Sequence, residues 1–177
     1  MPRMVSLKLK EHLGVPRIYW DASMEAIQDA STKTQVLEYV ESSFVSGVYL
    51  HGTLGVGKSA ISSVIFSKML AENVIGVWLN YFDWQDWCIN KPIFRGLDVY
   101  SCAMSWPALV LDDLNVPRTA HISESIEKLL RNRVQNNLLT IVSSNFSIPY
   151  FCKNAPVLGS LLRSLSTVIE VKGSDLR

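Results

Sequence analysis

Eight consecutive residues have the types and the spacing needed to hold a phosphate chain. They read Gly52-Thr53-Leu54-Gly55-Val56-Gly57-Lys58-Ser59 and fit the pattern G-x-x-x-x-G-K-[ST]. Glycines let the backbone wrap an anion with its N–H groups pointing inward. Lys58 can reach the β- and γ-phosphates, and the Ser59 hydroxyl can ligate Mg²⁺. The pattern predicts a site for a nucleoside triphosphate with Mg²⁺, formed by the loop and by Ala60 after it.

The segments on either side of this loop fit the same prediction. Residues 44–50 form an apolar stretch that is typical of a buried strand. Downstream, residues 58–72 contain no Pro or Gly, and apolar side chains recur there at helical spacing. A strand, a loop and a helix in this order are the context in which the pattern indicates a nucleotide site.

Two acidic residues follow a second apolar run. Asp112 and Asp113 come directly after residues 108–111, which predict a strand buried on both faces. Carboxylate oxygens are ligands that Mg²⁺ prefers, so Asp112 is the predicted metal residue together with Ser59. Asp113 is the candidate base that positions or polarises an attacking water. The alternative is an acidic turn that ends a strand, but the phosphate loop upstream favours function.

A third polar strand end is Ser143-Ser144-Asn145, which follows the run Thr140-Ile141-Val142. A polar side chain here could hydrogen-bond the γ-phosphate or the lytic water. The alternative is an Asn that starts a turn, as Asn often does. Together with the loop and the two acids, the pattern favours a catalytic role for Asn145.

Predicted strands and helices alternate along the chain. Helices are predicted over residues 21–41 (in two pieces), 58–72, 122–136 and 157–165, and strands over residues 44–50, 74–81, 108–111, 139–144 and 167–171. Residues 82–106 are predicted to be less regular. The alternation predicts an α/β fold with a parallel sheet covered on both faces. In such sheets ligands bind at the carboxyl ends of the strands, where the polar residues lie.

Composition narrows the classes of protein. The 177 residues carry a formal net charge of +1, so any contact with nucleic acid must be local. Cys88, Cys102 and Cys152 are odd in number and widely spaced, which favours three buried thiols in a reducing cytosol over a disulfide framework or a zinc site. The sequence has neither a signal-peptide core nor a membrane-spanning stretch, and we predict a cytoplasmic protein.

In their order and spacing, the three motifs resemble Walker A, Walker B and sensor 1 of AAA+ ATPases. The closest resemblance is to the DnaC/DnaI-type helicase loaders and the IstB-type transposition ATPases. Three further segments are similar to that group. They are the lead-in Gly14-Val15-Pro16-Arg17-Ile18-Tyr19, residues 130–145 with a helix ending in Arg before the sensor strand, and residues 168–177 with a "G-x-D-x-R" ending.

The resemblance implies a P-loop NTPase of the AAA+ type, a three-layer sandwich with a parallel sheet of order 5-1-4-3-2. The sequence stops shortly after the last predicted strand, so we expect this chain to depart from most AAA+ proteins in having no C-terminal helical lid. Residues 1–20 would be a short lead-in and residues 21–177 the ATPase core. The implied cofactors are ATP and Mg²⁺. Asp113 stands where most AAA+ proteins have a catalytic Glu, which bears on the rate of hydrolysis.

The resemblance also implies arginines that act on the nucleotide. Arg163 is the only Arg between sensor 1 and the last strand, so it is the candidate arginine finger. Such a finger acts on a neighbour's nucleotide, which implies a homo-oligomer, a ring or a spiral. Arg177 could serve only in part as sensor 2. Arg133 matches an arginine found at the end of the preceding helix, and the alternative is a solvated cation there.

Several aromatic residues allow two interpretations. The group Trp78, Tyr81, Phe82, Trp84 and Trp87, followed by Lys91 and Arg95, could contact DNA or pack in the core, and we favour packing. Tyr19 and Trp20 could flank an adenine or could equally belong to the core.

The favoured function is an ATP-driven assembly factor in DNA replication, a helicase loader, either a minimal phage-encoded version or an isolated ATPase domain. Its implied partners are a replicative helicase and DNA, with single strands favoured. The alternative is an IstB-like regulator that assembles on duplex DNA and recruits a transposase. A small-molecule kinase is disfavoured because residues 145–165 offer only Lys153 and Arg163 as a basic lid. A structural protein that binds ATP but hardly hydrolyses it is a further alternative.

Overall fold

The computed structural model describes residues 7–90 and 98–175, and within them five parallel strands form one sheet. The strands are β1 Gly47–His51, β2 Gly76–Asn80, β3 Ala108–Leu114, β4 Leu139–Ser144 and β5 Ser166–Glu170. Their order is β2-β3-β4-β1-β5, which is the predicted order 5-1-4-3-2 read from the other edge. The predicted sheet topology is therefore confirmed.

Eight helices belong to the described part of the chain. They are α1 Leu7–His12, α2 Ala30–Glu41, α3 Lys58–Ala71, α4 Tyr81–Asn90, α5 Val99–Ser105, α6 Ala120–Gln135, α7 Ile148–Asn154 and α8 Pro156–Leu165. Single 3-10 turns at Arg17–Tyr19 and Met24–Ala26 precede α2. None of these helices is long and apolar enough to cross a membrane.

Helices cover both faces of the sheet and create two cores. On β3, Leu109 and Leu111 pack with α4 to α8, whereas Ala108 and Val110 pack with α2 and α3 on the other face. A strand buried on both faces needs apolar side chains at every position, which is why the central strands read as continuous apolar runs. The described residues, which end at residue 175, contain no helix after β5 and thus no helical lid.

The prediction for residues 82–106 is wrong, because α4 and α5 occupy the described part of that region. Tyr81, Trp84 and Cys88 recur at helical spacing and are buried in the core. Helix α7 was not predicted either. Strand β3 runs three residues beyond the predicted residues 108–111, so both acids belong to it.

Arg133 is fully buried at the end of α6, so the interpretation as a solvated cation is wrong. Its Nε donates to Thr140 Oγ1 (2.9 Å), its Nη1 to the carbonyls of Ala103 and Trp106 (2.6 and 3.1 Å), and its Nη2 to those of Pro107 and Leu139 (3.4 and 2.6 Å). These bonds tie α6 to α5, to the segment that leads into β3 and to the start of β4. Burial lowers the pKa of Arg133 to about 9, which leaves it charged at neutral pH.

Candidate nucleotide-binding site

The phosphate loop connects β1 to α3 at the carboxyl edge of the sheet. Gly55 and Gly57 adopt φ values of +82° and +89°, a region that side chains other than glycine rarely enter. Helix α3 begins at Lys58, so the positive end of the helix and its first N–H groups meet the loop. The backbone geometry is therefore suited to an anion.

Lys58 is buried inside the loop. Its Nζ donates to the carbonyl oxygens of Gly52 (2.9 Å) and Thr53 (2.7 Å). Both acceptors are neutral, so a phosphate would offer this ammonium a charged and stronger acceptor.

Asp112 connects the loop helix to the neighbouring strands. Its Oδ1 accepts hydrogen bonds from Ser59 Oγ (2.9 Å) and from Ser143 Oγ (2.5 Å). The side chain is only 3% exposed. Burial raises the pKa of Asp112 to about 6; the charge of Asp113 adds to this, while the bonds from Ser143 and Ser59 oppose it.

The oxygens of Ser59 and Asp112 fit Mg²⁺. In nucleotide sites this ion is held by one or two protein oxygens and by the phosphates of the nucleotide. The hydroxyl and the carboxylate lie 2.9 Å apart at the end of the loop, and both are hard oxygen ligands. The sequence prediction paired these two residues, and the structure brings them together.

Asp113 lies in an irregular part of β3. The pairing with β4 shifts register between Leu111 and Leu114, and Asp113 has a φ of +56°, which is uncommon for a residue other than glycine. Its backbone N–H donates to Ser143 Oγ (2.9 Å). The irregularity breaks the alternation of side chains along the strand, and Asp113 is half-buried whereas Asp112 is buried.

Asn145 follows β4, the strand that lies between the loop and the acids. At the end of β4, Ser144 pairs with His51 before the loop on one side and with Leu114 after the acids on the other. Asn145 is exposed at this point. The topology thus places the predicted sensor between the phosphate loop and the two acids.

Arg163 lies away from these residues. It is exposed in the last turn of α8, which leads into the amino end of β5, where Ser166 pairs with Gly47. Its Nη2 is 3.5 Å from Cys152 Sγ. The phosphate loop is at the other end of the strands, their carboxyl end, so the structure does not bring Arg163 to the loop of the same chain.

A mainly apolar cavity adjoins the loop. Its lining comes from the turn before α2, the start of α3 and the segment after β5, and includes Ile27, Val56, Ala60, Val64 and Val171. Apolar walls next to a phosphate loop suit the flat faces of a nucleotide base.

Tyr19 and Trp20 do not line that cavity. Tyr19 stacks on Trp78 with ring centroids 6.3 Å apart, and Trp20 Nε1 donates to the Val15 carbonyl (2.9 Å). Of the two interpretations that the sequence allowed, the structure favours packing in the core.

The segment after β5 runs beside the same cavity. The Lys172 N–H donates to Thr32 Oγ1 (3.2 Å), and Ser174 Oγ donates to Gln28 Oε1 (3.1 Å). A Cβ on Gly55 would overlap the Asp175 carboxylate, so this segment also reaches the loop.

The aromatic group in and after β2 is mostly core, as predicted. Trp78, Tyr81 and Trp84 are buried, and Trp87 stacks on Tyr100 with centroids 4.6 Å apart. Only Phe82 of the group is largely exposed. Lys91, Arg95 and the sensor 2 candidate Arg177 lie outside the described residues.

Ser143 is the residue that sequence reasoning missed. The pattern Ser143-Ser144-Asn145 predicts a role for Asn145 and none for Ser143. The signal available was the position of Ser143 at the end of a central strand, while its contacts depend on the register between β3 and β4.

Comparison with known proteins supports the fold. The crystal structure of DnaI is 22% identical over 92% of this chain and 94% of its own, with a TM-score of 0.77. The crystal structure of the DnaC helicase loader is 20% identical over 89% of this chain and 100% of its own, with a TM-score of 0.72. The replication initiator DnaA bound to AMPPCP and single-stranded DNA is 14% identical over 91% of this chain and 52% of its own, with a TM-score of 0.72.

No protein-family model and no curated protein sequence matches the chain. At these identities the solved structures establish the fold. The chain has the fold of a P-loop AAA+ ATPase, and its resemblance to the DnaC/DnaI-type group is confirmed at the level of that fold over nearly its whole length.

Proposed function

We propose that this protein is an ATP-binding and ATP-hydrolysing AAA+ assembly factor that acts in DNA replication as a loader of the replicative helicase in the cytoplasm. The observation that carries the proposal is the hydrogen bond between Ser59 and the buried Asp112 at the end of a glycine-rich phosphate loop. The similarity of fold to the DnaC helicase loader supports the choice of function.

Each residue at the carboxyl edge has a role in this proposal. The loop from Gly52 to Ala60 binds the phosphates, and Lys58 contacts the β- and γ-phosphates. Ser59 and Asp112 hold Mg²⁺, which when bound neutralises charge that develops on the transferred phosphoryl group. Asp113 orients the attacking water and accepts its proton, and Asn145 holds that water or the γ-phosphate.

Arg163 completes the site of a neighbouring subunit in this proposal. It is exposed and lies far from the loop of its own chain, as a finger acting in trans requires. We therefore propose a ring or spiral in the ATP state, with slow hydrolysis by the monomer. Asp113 is one methylene shorter than Glu, which also favours slow turnover.

A mixing experiment tests the shared site. Arg163→Ala and Asp113→Asn subunits are each expected to be nearly inactive when assembled alone. In a mixture, an Asp113→Asn subunit can offer its intact Arg163 to an Arg163→Ala neighbour with an intact loop and acids. Phosphate release by the mixture should exceed that of either variant, and no restoration would contradict an arginine finger in trans.

The partner is tested by affinity capture from the native host in the presence of ATP. Recovery of the replicative helicase by the wild type, and its loss with Lys58→Ala, supports loading. Recovery of a transposase instead would favour the IstB-like alternative. Single-stranded DNA should bind better than duplex, with an affinity that falls as salt rises.

A further inference from the structure

The geometry points to Ser143 as a positioning residue that fixes both acids of the ATPase site at once. This inference rests on the proposed function, because it concerns how the protein holds Mg²⁺ with the nucleotide. It adds a link between β4 and the acids of β3 that the motifs alone do not reveal.

One hydroxyl makes both contacts. Ser143 Oγ donates to Asp112 Oδ1 (2.5 Å) and accepts from the Asp113 N–H (2.9 Å), and the side chain is fully buried. A serine hydroxyl has one proton to donate, and here that proton goes to the proposed metal residue. The acceptor side of the same oxygen holds the backbone of the proposed base.

The two contacts fix the backbone of Asp113 and the carboxylate of Asp112. Asp113 has a φ of +56°, a conformation that is unfavourable for a residue other than glycine, so it needs support from its surroundings. Asp112 Oδ1 also accepts from Ser59 Oγ on α3. The carboxylate is thus held between two elements, and Ser143 fixes its position relative to the phosphate loop.

The neighbouring serine provides a matched control. Ser144 is also fully buried, and its Oγ donates to the Leu114 carbonyl (2.7 Å) and accepts from the Phe146 N–H (3.1 Å). It has the same side chain, the same burial and a donor and an acceptor bond, yet neither bond involves an acid. If Ser143 were merely a buried structural serine, its replacement by Ala should therefore have the same effect as the replacement of Ser144 by Ala.

The experiment compares the affinity for a non-hydrolysable ATP analogue with Mg²⁺ and with EDTA, for the wild type, Ser143→Ala and Ser144→Ala. We expect Ser143→Ala to reduce the gain in affinity from Mg²⁺ by about tenfold, since hydrogen bonds to charged groups are typically of that strength, with little change in EDTA. Ser144→Ala should keep the gain. Equal gains in the two variants would overturn the inference.

Two further measurements keep the outcomes distinct. Ser143→Cys is slightly larger than serine and donates only weakly, so it should also reduce the gain from Mg²⁺. It can be measured in place of Ser143→Ala if that variant is too unstable. Thermal melting of each variant reports its stability separately. A wild type that binds no analogue would overturn the proposed function itself, whereas a wild-type gain from Mg²⁺ that both Ser143 variants retain would overturn only the role of Ser143.

Discussion

Asp112 and Arg133 are both buried and charged, but they lie at opposite ends of the strands, and their hydrogen bonds are made with different partners. Arg133 uses all five of its N–H donors on neutral oxygens that surround it. Asp112 accepts bonds from two hydroxyls, and burial still raises its pKa to about 6.

The difference separates a structural charge from one that we propose to be functional. The bonds of Arg133 join parts of the fold, and its guanidinium has no N–H left to donate to a ligand. The carboxylate of Asp112 lies beside a phosphate loop, and its charge is costly until a cation arrives. Polar groups that a fold leaves costly in this way are often found where a protein binds its ligand.

The largest effect is expected for Asp112→Asn in the ATPase reaction. Loss of the proposed metal carboxylate should lower turnover of the assembled protein by roughly 100-fold or more, because metal ions supply several kcal/mol of stabilisation to such transition states. Steady-state phosphate release measures it. Arg133→Lys serves as the control and should retain turnover per folded molecule; a tenfold loss there would break the comparison.

The next effect is on stability. Arg133→Met leaves several buried oxygens without a donor, and we expect the free energy of unfolding to fall by about 3 kcal/mol or more. Urea denaturation of this variant should be compared with that of Arg131→Met, an exposed neighbour on α6 that should change stability by less than about 0.5 kcal/mol. Similar losses in both variants would contradict the role of Arg133 in joining α6 to the sheet.

Asp112→Asn should also change stability, in the opposite direction to Arg133→Met. A carboxyl group whose folded pKa lies above its unfolded value destabilises the fold as pH rises past the unfolded value, and fully above about pH 6. Without Mg²⁺ and nucleotide, the variant should be about 1–2 kcal/mol more stable than the wild type at pH 7.5, and the gain should be smaller at pH 5. Urea denaturation in EDTA at the two pH values measures this. A variant less stable than the wild type at pH 7.5 would show that the buried charge is already compensated.

The smallest stability effect is expected at the exposed arginine. Arg163→Ala should change the free energy of unfolding by no more than about 0.5 kcal/mol, because the side chain is exposed on α8. Thermal melting of the monomer tests this, with Arg133→Met as the variant that should lose much more stability. A large loss of stability would mean that Arg163, like Arg133, is a structural residue.

The sequence predicted the features whose signals are local. The phosphate loop and the strand over residues 139–144 follow from local patterns, and the structure has β4 at the predicted residues. The order of the sheet came from the resemblance alone, and the structure has that order. Helix α4 was missed because its aromatic residues favour strands in general, which hid the helical spacing of Tyr81, Trp84 and Cys88.

The remaining misses depend on contacts between distant segments. From the sequence, Arg133 looks like a solvated cation at a helix end, because the carbonyls that surround it come from the segment before β3 and from the start of β4. The bonds of Ser143 to both acids require the register shift in β3, and no local pattern encodes that shift.

The cavity beside the loop has a consequence for the chain as a whole. Its walls include residues 22, 23 and 26–28 and residues 171–174, which are near opposite ends of the sequence. A nucleotide in this cavity would contact both segments and hold them together, in addition to the two hydrogen bonds that Thr32 and Gln28 make with the segment after β5. Bound ATP should therefore slow proteolytic cleavage in both segments together, so that limited digestion could detect occupancy of the site without any measurement of hydrolysis.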